Sequence, residues 1–372
     1  MRKEYTLKNA TFVYSKNELG YAPLLEEMGQ AKEVTIITYN ISERQHQLLD
    51  CLKSAPDDCN ISIITNIPSR WDEYYGDAFR ERAQQKIQVY MTKLAPEELG
   101  QKASVYFNFS NHGKIVMTDT SVYIGSSNFS EESAKNIEFG VLTTDADFIS
   151  FIKQELVPEI ISKSISYYEY NYTGLLLEAN MLLSALFSAY SDLHEKVYIT
   201  ADDWRMTREY YNDIYDLLTR SSLSRLEDIA NDCVAAADEV VDVLYEICGE
   251  ESAEYGIAFQ QFEQLRGIFS EIEALVNDDS ITELADFNAE SYVHYLLEND
   301  YAMEAYEENL EQYISLATDR ASSKLHDLCE TAQSNLEALL AQSNAFHKLF
   351  GEIISLFSEQ KLKKISEEID NT

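Results

Sequence analysis

Glycine and proline are scarce, 12 and 5 among 372 residues. That scarcity excludes a collagen-like or low-complexity chain and favours a globular protein rich in helix. Cysteine is scarce too. Cys51, Cys59, Cys233, Cys248 and Cys329 are odd in number and show no CxxC pair, which leaves no readable zinc site or disulfide framework and points to reduced thiols in the cytoplasm. Only two histidines, His46 and His112, precede residue 165, too few for a histidine-rich metal cluster there. The opening MRKEYTLKNATF lacks the apolar core of a secretory signal, and the most apolar run, Leu175 to Tyr190, is interrupted by Glu178 and Asn180. That run reads as too short and too polar to span a bilayer, so no membrane partner is expected. Positive charge is also in deficit, with 29 Lys and Arg against 65 Asp and Glu.

What is present divides near residue 165. Through residue 165 there are 17 basic and 23 acidic side chains; beyond it there are 12 and 42. The C-terminal part, about −30, repels phosphate and anionic lipid and is not a surface that grips either. The chain therefore reads as two domains, 1–165 and 166–372. In the first, helical spacing alternates with short β-branched runs, the mark of an α/β layer structure. Strands are expected at Val34–Tyr39, Ile61–Asn66, Ile87–Met91, Lys114–Thr118, Ser121–Gly125 and Ile137–Thr143. Helices are expected at Leu24–Lys32, Arg44–Lys53, residues 72 to 86, and Asp145–Lys163. Beyond 165 the expected helices are 174–192, 202–220, 222–248, 252–277, 288–317, 319–345 and 346–369, with breaks at Gly249, Asn277–Asp279 and Asn299–Asp300. The pattern is that of an all-α bundle or coiled-coil-like arm without a fixed repeat.

One stretch carries chemistry: NHGKIVMTDTSVYIGSSNFSEESAKNIEFGVL, from Asn111. His112 and Lys114 form HxK, Asp119 follows after four residues, Gly125, Ser126, Ser127 and Asn128 form GSxN, and Glu138 lies downstream. This resembles the HKD signature of the phospholipase D superfamily, HxKx4Dx6GSxN, with one residue fewer between Asp119 and Gly125. The missing residue falls in a turn, where length varies cheaply. The resemblance implies a mixed sheet flanked by helices, a metal-independent phosphodiesterase without cofactor, and a phosphohistidine intermediate.

These residue types suit that chemistry. A phosphoryl group in transfer needs a nucleophile, a proton donor for the leaving oxygen, and cationic or hydrogen-bonding groups on its other oxygens. Imidazole serves both as nucleophile and as acid near neutrality. Lys114 and Asn128 are expected to hold phosphoryl oxygens, Ser126 to add a donor, and Glu138 to orient an imidazole. Asp119 is read as a turn-holding residue, and Gly125 and Ser127 as motif support. A single HxK occurs, so the resemblance implies a homodimer through the catalytic domain with two copies of His112 at a shared site.

Arg70, Trp71, Arg80 and Arg82 interleave cations with an aromatic ring, a pattern that grips nucleic acid. A solvated helix face carrying Asp72, Glu73, Asp77 and Glu81 is the simpler reading. Ser130, before Glu131 and Glu132, reads as a helix N-cap. Among substrates, DNA or RNA comes first, in a bacterial defence or restriction assembly whose acidic helical part binds a partner protein or inhibits. A phospholipase or small-phosphodiester hydrolase, or a silent dimeric scaffold, are the alternatives.

Overall fold

The computed structural model describes residues 3–6, 10–68, 79–99, 103–167, 172–203, 206–214, 217–301 and 310–370. These form two compact units, divided between Met181 and Leu182.

The first unit is built on strands β1 (Lys3–Thr6), β2 (Thr11–Ser15), β3 (Glu33–Thr38), β4 (Asn60–Thr65), β5 (Ala103–Phe107), β6 (Ile115–Thr118), β7 (Val122–Gly125), β8 (Glu138–Thr143) and β9 (Ile165–Ser166). They form one mixed sheet in the order β1-β2-β8-β7-β6-β3-β4-β5-β9. β3, β4 and β5 are parallel, and β6 runs antiparallel to β3. α1 (Ala22–Glu27) leads into β3, α2 (Gln47–Lys53) lies between β3 and β4, and α3 (Phe79–Lys93) and α4 (Pro96–Leu99) lie between β4 and β5. Central strands are apolar on both faces, as a sheet covered on both sides requires; in β3, Val34, Ile36 and Ile37 are all buried. One covering layer is α5 (Ala146–Phe151), a π-turn at Ile152–Leu156 and α6 (Val157–Ile161). From it Ile149, Ile152 and Val157 pack with Ile37, Ile64, Ile115, Met117 and Val122.

The expected strand Ile87–Met91 belongs instead to α3. Ala83, Ile87, Tyr90 and Leu94 are buried at helical spacing, so a 3.6-residue stripe overrides the local β-branched signal. The alternating strand β5, with Ala103, Val105 and Phe107 inward, takes the place in the sheet. Residues 69–78, and with them Arg70 and Trp71, lie outside the described residues.

The helix α7 (Thr173–Val197) begins in the first unit and continues into the second. At 25 residues it is long and apolar enough by length and composition to cross a membrane, which revises the reading of Leu175–Tyr190. It has the burial of a core helix, with 56% of its most apolar window covered by protein.

The second unit is helical with one exception. The helix expected over 202–220 is not formed by the described residues there: β10 (Tyr198–Asp203) and β11 (Met206–Tyr211) pair as an antiparallel hairpin, and only Arg220 is helical, as the first residue of the next helix. Tyr, Ile and Thr at 198–200, 207 and 210–211 favour the extended form, and pairing across the hairpin decides between that and a helical reading. The remaining elements are α8 (Arg220–Cys248), α9 (Ala253–Val276), α10 (Asp279–Asp286), α11 (Ala289–Asn299) and α12 (Leu310–Asp370). α8 ends where Gly249 takes a positive φ of 83°, the conformation glycine adopts at low cost. Asp278 caps α10 by accepting from the backbone of Ser280 and Ile281. The two expected helices 319–345 and 346–369 are one, since no proline interrupts them. Its buried stripe runs Ala317, Ala321, Leu325, Leu328, Ala332, Leu336, Leu339, Phe346, Phe350, Ile353 and Phe357, three and four residues apart, against α8, α9, α10 and α11.

Candidate active site

Strand register brings the motif to one end of the sheet. β3, β4 and β5 are parallel, and their carboxyl ends lie together, the usual place for a ligand site in an open α/β sheet. Because β6 is antiparallel to β3, with Ile37 opposite Ile115, Lys114 and His112 enter β6 from that same end. β7 returns there: Ile124 faces Ile115, and the Gly125 N–H donates to the Lys114 carbonyl at 3.3 Å. β8 starts there, with Gly125 opposite Gly140 and the Ser126 N–H donating to the Phe139 carbonyl at 2.8 Å. His112, Lys114, Ser126, Asn128 and Glu138 therefore converge, although 26 positions separate the first from the last.

Asp119 does not join them. It lies past the other end of β6, about 17 Å from Lys114 at the usual rise per residue, and its carboxylate accepts from the Lys32 N–H at 3.0 Å. The turn itself is held by Thr118, whose hydroxyl oxygen accepts from the Thr120 and Ser121 N–H groups. Glu27 adds to it by accepting from the hydroxyls of Thr118, Thr120 and Ser121. Asp119 thus ties the turn to the start of β3 rather than closing the turn.

The loop carrying His112 is braced by asparagines. Asn111 donates to the Thr38 carbonyl at 2.8 Å, and its own side-chain oxygen accepts from the Gly113 N–H at 3.0 Å. Asn66, after β4, donates to the carbonyls of Phe109 and Asn111. The imidazole is left exposed. Lys114 Nζ stands 3.3 Å from His112 Nδ1 and donates to the His112 carbonyl at 2.6 Å. Burial pulls the Lys114 ammonium below the ordinary lysine value, and the charge of Glu138 partly opposes this.

Glu138 is buried. It accepts from the Ser126 hydroxyl and from Asn136, and among the described residues neither oxygen bonds to His112. Ser126 also accepts from the Phe139 N–H at 3.1 Å, so its hydroxyl is locked between strands. Ser127 is buried and accepts from Tyr123 Oη at 3.1 Å. The motif glycine has a packing reason: a Cβ on Gly125 would stand 2.3 Å from Tyr123 Oη and 2.4 Å from the Phe139 carbonyl oxygen. The backbone of Asn128 is fixed by Tyr21 Oη, which donates to its carbonyl, and by Ser133 Oγ, which accepts from its N–H. Its side-chain oxygen, like that of Asn40, is buried without a hydrogen-bond partner among the described residues. Such an oxygen is costly to keep unless something supplies a donor.

Ser130 is no side-chain cap; it opens a 3-10 turn. Glu131 and Glu132 turn toward the loop after β3 instead. Glu131 accepts from the Leu48 N–H at 3.0 Å, and Glu132 from the Ser42 hydroxyl. Lys93, buried on α3, donates to the carbonyls of Ser42 and Gln45. Arg80 is engaged as well: it pairs with buried Glu178, which also accepts from Gln84 at 2.9 Å. Arg82 is half-buried on the same helix. Motif reading did not find Tyr39, whose ring lies 4.7 Å from the His112 ring, centroid to centroid, and 5.4 Å from Lys114 Nζ. Its one signal in sequence is its place at the carboxyl end of a parallel strand.

Residues 24–158 match the family model described as cardiolipin synthase, PLD-like domain. Among solved structures, Nuc from Salmonella typhimurium, a phospholipase D family member, is similar at 16% identity and a TM-score of 0.31, with 42% of this chain and 97% of Nuc covered. NucT from Helicobacter pylori is similar at 17% identity and 0.29, over 39% and 88%. Phosphatidylserine synthase from Haemophilus influenzae Rd KW20 is similar at 14% and 0.30, over 49% and 48%. Among curated protein sequences none matches.

Proposed function

We propose, from the premise that residues 24–158 form a phospholipase D-like domain of the phospholipase D superfamily, that this chain is a metal-independent phosphodiesterase acting on DNA or RNA. The observation that carries the reading is the convergence of His112, Lys114, Ser126, Asn128 and Glu138 at one sheet end, with Lys114 Nζ 3.3 Å from the imidazole. A cation beside an exposed imidazole is the pairing that a phosphodiester needs: charge for the nonbridging oxygens and a nucleophile for phosphorus.

His112 Nε2 attacks phosphorus and the bond to the leaving oxygen breaks. The leaving oxygen takes a proton from a second imidazole. Water then gives its proton to that imidazole, attacks phosphorus and breaks the P–N bond, which regenerates His112. This chain holds one HxK, so the second imidazole is assigned to His112 of another copy in a homodimer. Lys114 Nζ lies 3.3 Å from Nδ1; while a charged ammonium donates there, the proton of a neutral ring is on Nε2, and that nitrogen is not the nucleophile. A phosphate that draws the ammonium onto its oxygens frees Nδ1 to carry the proton. Asn128 then offers its amide N–H to the phosphoryl group.

The acidic second unit fits regulation or attachment of a partner protein better than substrate grip, and a role in a bacterial defence assembly accords with it. The test is cleavage of labelled single-stranded DNA, duplex DNA, RNA and bis(p-nitrophenyl) phosphate in EDTA by wild type and His112→Ala, with mass in solution measured by light scattering. Cleavage that persists in EDTA and falls at least about a thousandfold in His112→Ala supports the reading. Cleavage that survives the substitution, or none on any substrate, refutes it; a monomer with full activity refutes the shared site.

A further inference from the structure

The loop after β3 lies where three parts of the site meet, and none of the motif residues explains why. Thr38 is fully buried at its start. Its carbonyl accepts from Asn111, next to His112. Its hydroxyl oxygen accepts from the Phe129 N–H at 2.8 Å, next to Asn128, and the hydroxyl donates to the Asn40 carbonyl. Three residues on from Thr38, the Ile41 N–H donates to Tyr90 Oη on α3. Tyr39 is thus held on both sides by a backbone tied to the HxK loop, to the GSxN loop and to a helix.

From that fixed base its ring meets both reactive groups. The His112 ring is tilted 54° to it at 4.7 Å, a separation at which aromatic rings attract. Lys114 Nζ lies 5.4 Å from the ring centroid, inside the range where a cation is drawn to the face of a tyrosine. His112 is exposed, and among the described residues the one hydrogen-bonding contact of its imidazole is with Lys114. An exposed imidazole with one flexible neighbour has many rotamers; a ring fixed alongside removes most of them. Attack on phosphorus needs the reacting atoms aligned within a few tenths of an ångström, so each excluded rotamer raises the fraction of time spent ready.

We propose that Tyr39 is a positioning residue of this site, its ring setting the places of the His112 imidazole and the Lys114 ammonium, and its hydroxyl having no part. The proposal rests on the phosphodiesterase reading for its kinetic consequence but not for the contact itself. The test compares Tyr39→Phe and Tyr39→Leu in the full-length chain by two measurements. The first is steady-state cleavage. Tyr39→Phe is expected within about threefold of wild type, and Tyr39→Leu about 10- to 100-fold lower in kcat with KM nearly unchanged. The second needs no substrate: the rate at which diethyl pyrocarbonate modifies His112, read by peptide mass spectrometry. It is expected to be unchanged in Tyr39→Phe and severalfold altered in Tyr39→Leu.

An unaltered modification rate in Tyr39→Leu, with thermal unfolding as in wild type, overturns the proposal. So does a Tyr39→Phe protein as impaired as Tyr39→Leu, since the hydroxyl then matters, or an effect confined to KM. If modification differs as expected but wild type cleaves nothing, the phosphodiesterase reading fails while the placement of the imidazole by Tyr39 is upheld.

Discussion

In the first unit a side chain finds its place through strand register; in the second, through helical phase. His112 and Glu138 share a site because β6, β7 and β8 run antiparallel and return to the same end. A slip of one residue in either pairing would turn the neighbouring side chains to the opposite face. The buried stripe of α12 needs no such agreement. Ala332, Leu336, Leu339, Phe346 and Phe350 line one side because the helix repeats every 3.6 residues, and error at one position leaves the others in place. Polar chemistry gathers in the unit that can specify single positions, and the acidic excess in the one that need only present a face.

That difference can be probed by substitution, beginning with the greatest loss. Phe350→Ala empties a fully buried site on α12 and should cost about 3–5 kcal/mol in chemical denaturation. Cleavage per folded molecule should nevertheless stay as in wild type; its loss would deny that helical phase and catalytic register are separable. Gly125→Ala should cost about 1–3 kcal/mol, because its methyl would meet Tyr123 and the Phe139 carbonyl. Here activity should fall well beyond the loss of folded protein, because Ser126 and Glu138 flank the disturbed pairing. A variant with normal cleavage would show that register at β7 and β8 does not set the site.

Glu178→Ala removes a buried carboxylate that pairs with Arg80, whose side chain is only 20% exposed. About 2 kcal/mol is expected in urea unfolding, below the value for a fully buried pair because Arg80 keeps some water. Asp278→Ala, at the α10 cap, should cost about 1 kcal/mol. Hydrogen bonds from Ser280, then Asn335 and the Ile281 and Ser280 backbone, hold the Asp278 carboxyl below its ordinary value. Its contribution to stability is therefore complete above the unfolded carboxylate value, about 3.9, and disappears as pH falls through the lower folded value. Asp278→Asn should keep most of the cap yet lose this acid limb, and a stability curve against pH identical to wild type would remove the argument.

The legible parts of the chain are those where one local signal acts alone. HxK, GSxN and Glu138 could be read off because each needs a definite residue type. The strands at Val34, Ile61, Lys114 and Ile137 could be read because β-branched runs there face no rival pattern. Where two signals compete, local reading failed. Ile87–Met91 is β-branched in composition but helical in phase, and burial of Ala83, Tyr90 and Leu94 decided for the helix. Residues 202–220 carry apolar positions at helical spacing, yet Tyr198 pairs with Tyr211 across a hairpin, a partner that no window of sequence contains. Asp119 shows the same limit in reverse: it belongs to the motif as a string, but a four-residue strand carries it to the far end of the sheet.

By itself the sequence determined the chemistry on offer, one imidazole with its lysine, serine, asparagine and glutamate, and the helical, acidic character of the second unit. Residue type sets what a side chain can donate, accept or attack, and helical phase is a property of neighbours along the chain. Only the tertiary structure decided that Tyr39 stands against His112 and Lys114, that Arg80 is taken by Glu178, and that Asp119 is apart from the site. Each of those depends on which strand lies beside which. That is settled by burial and pairing between residues distant in sequence, where no local pattern carries the information.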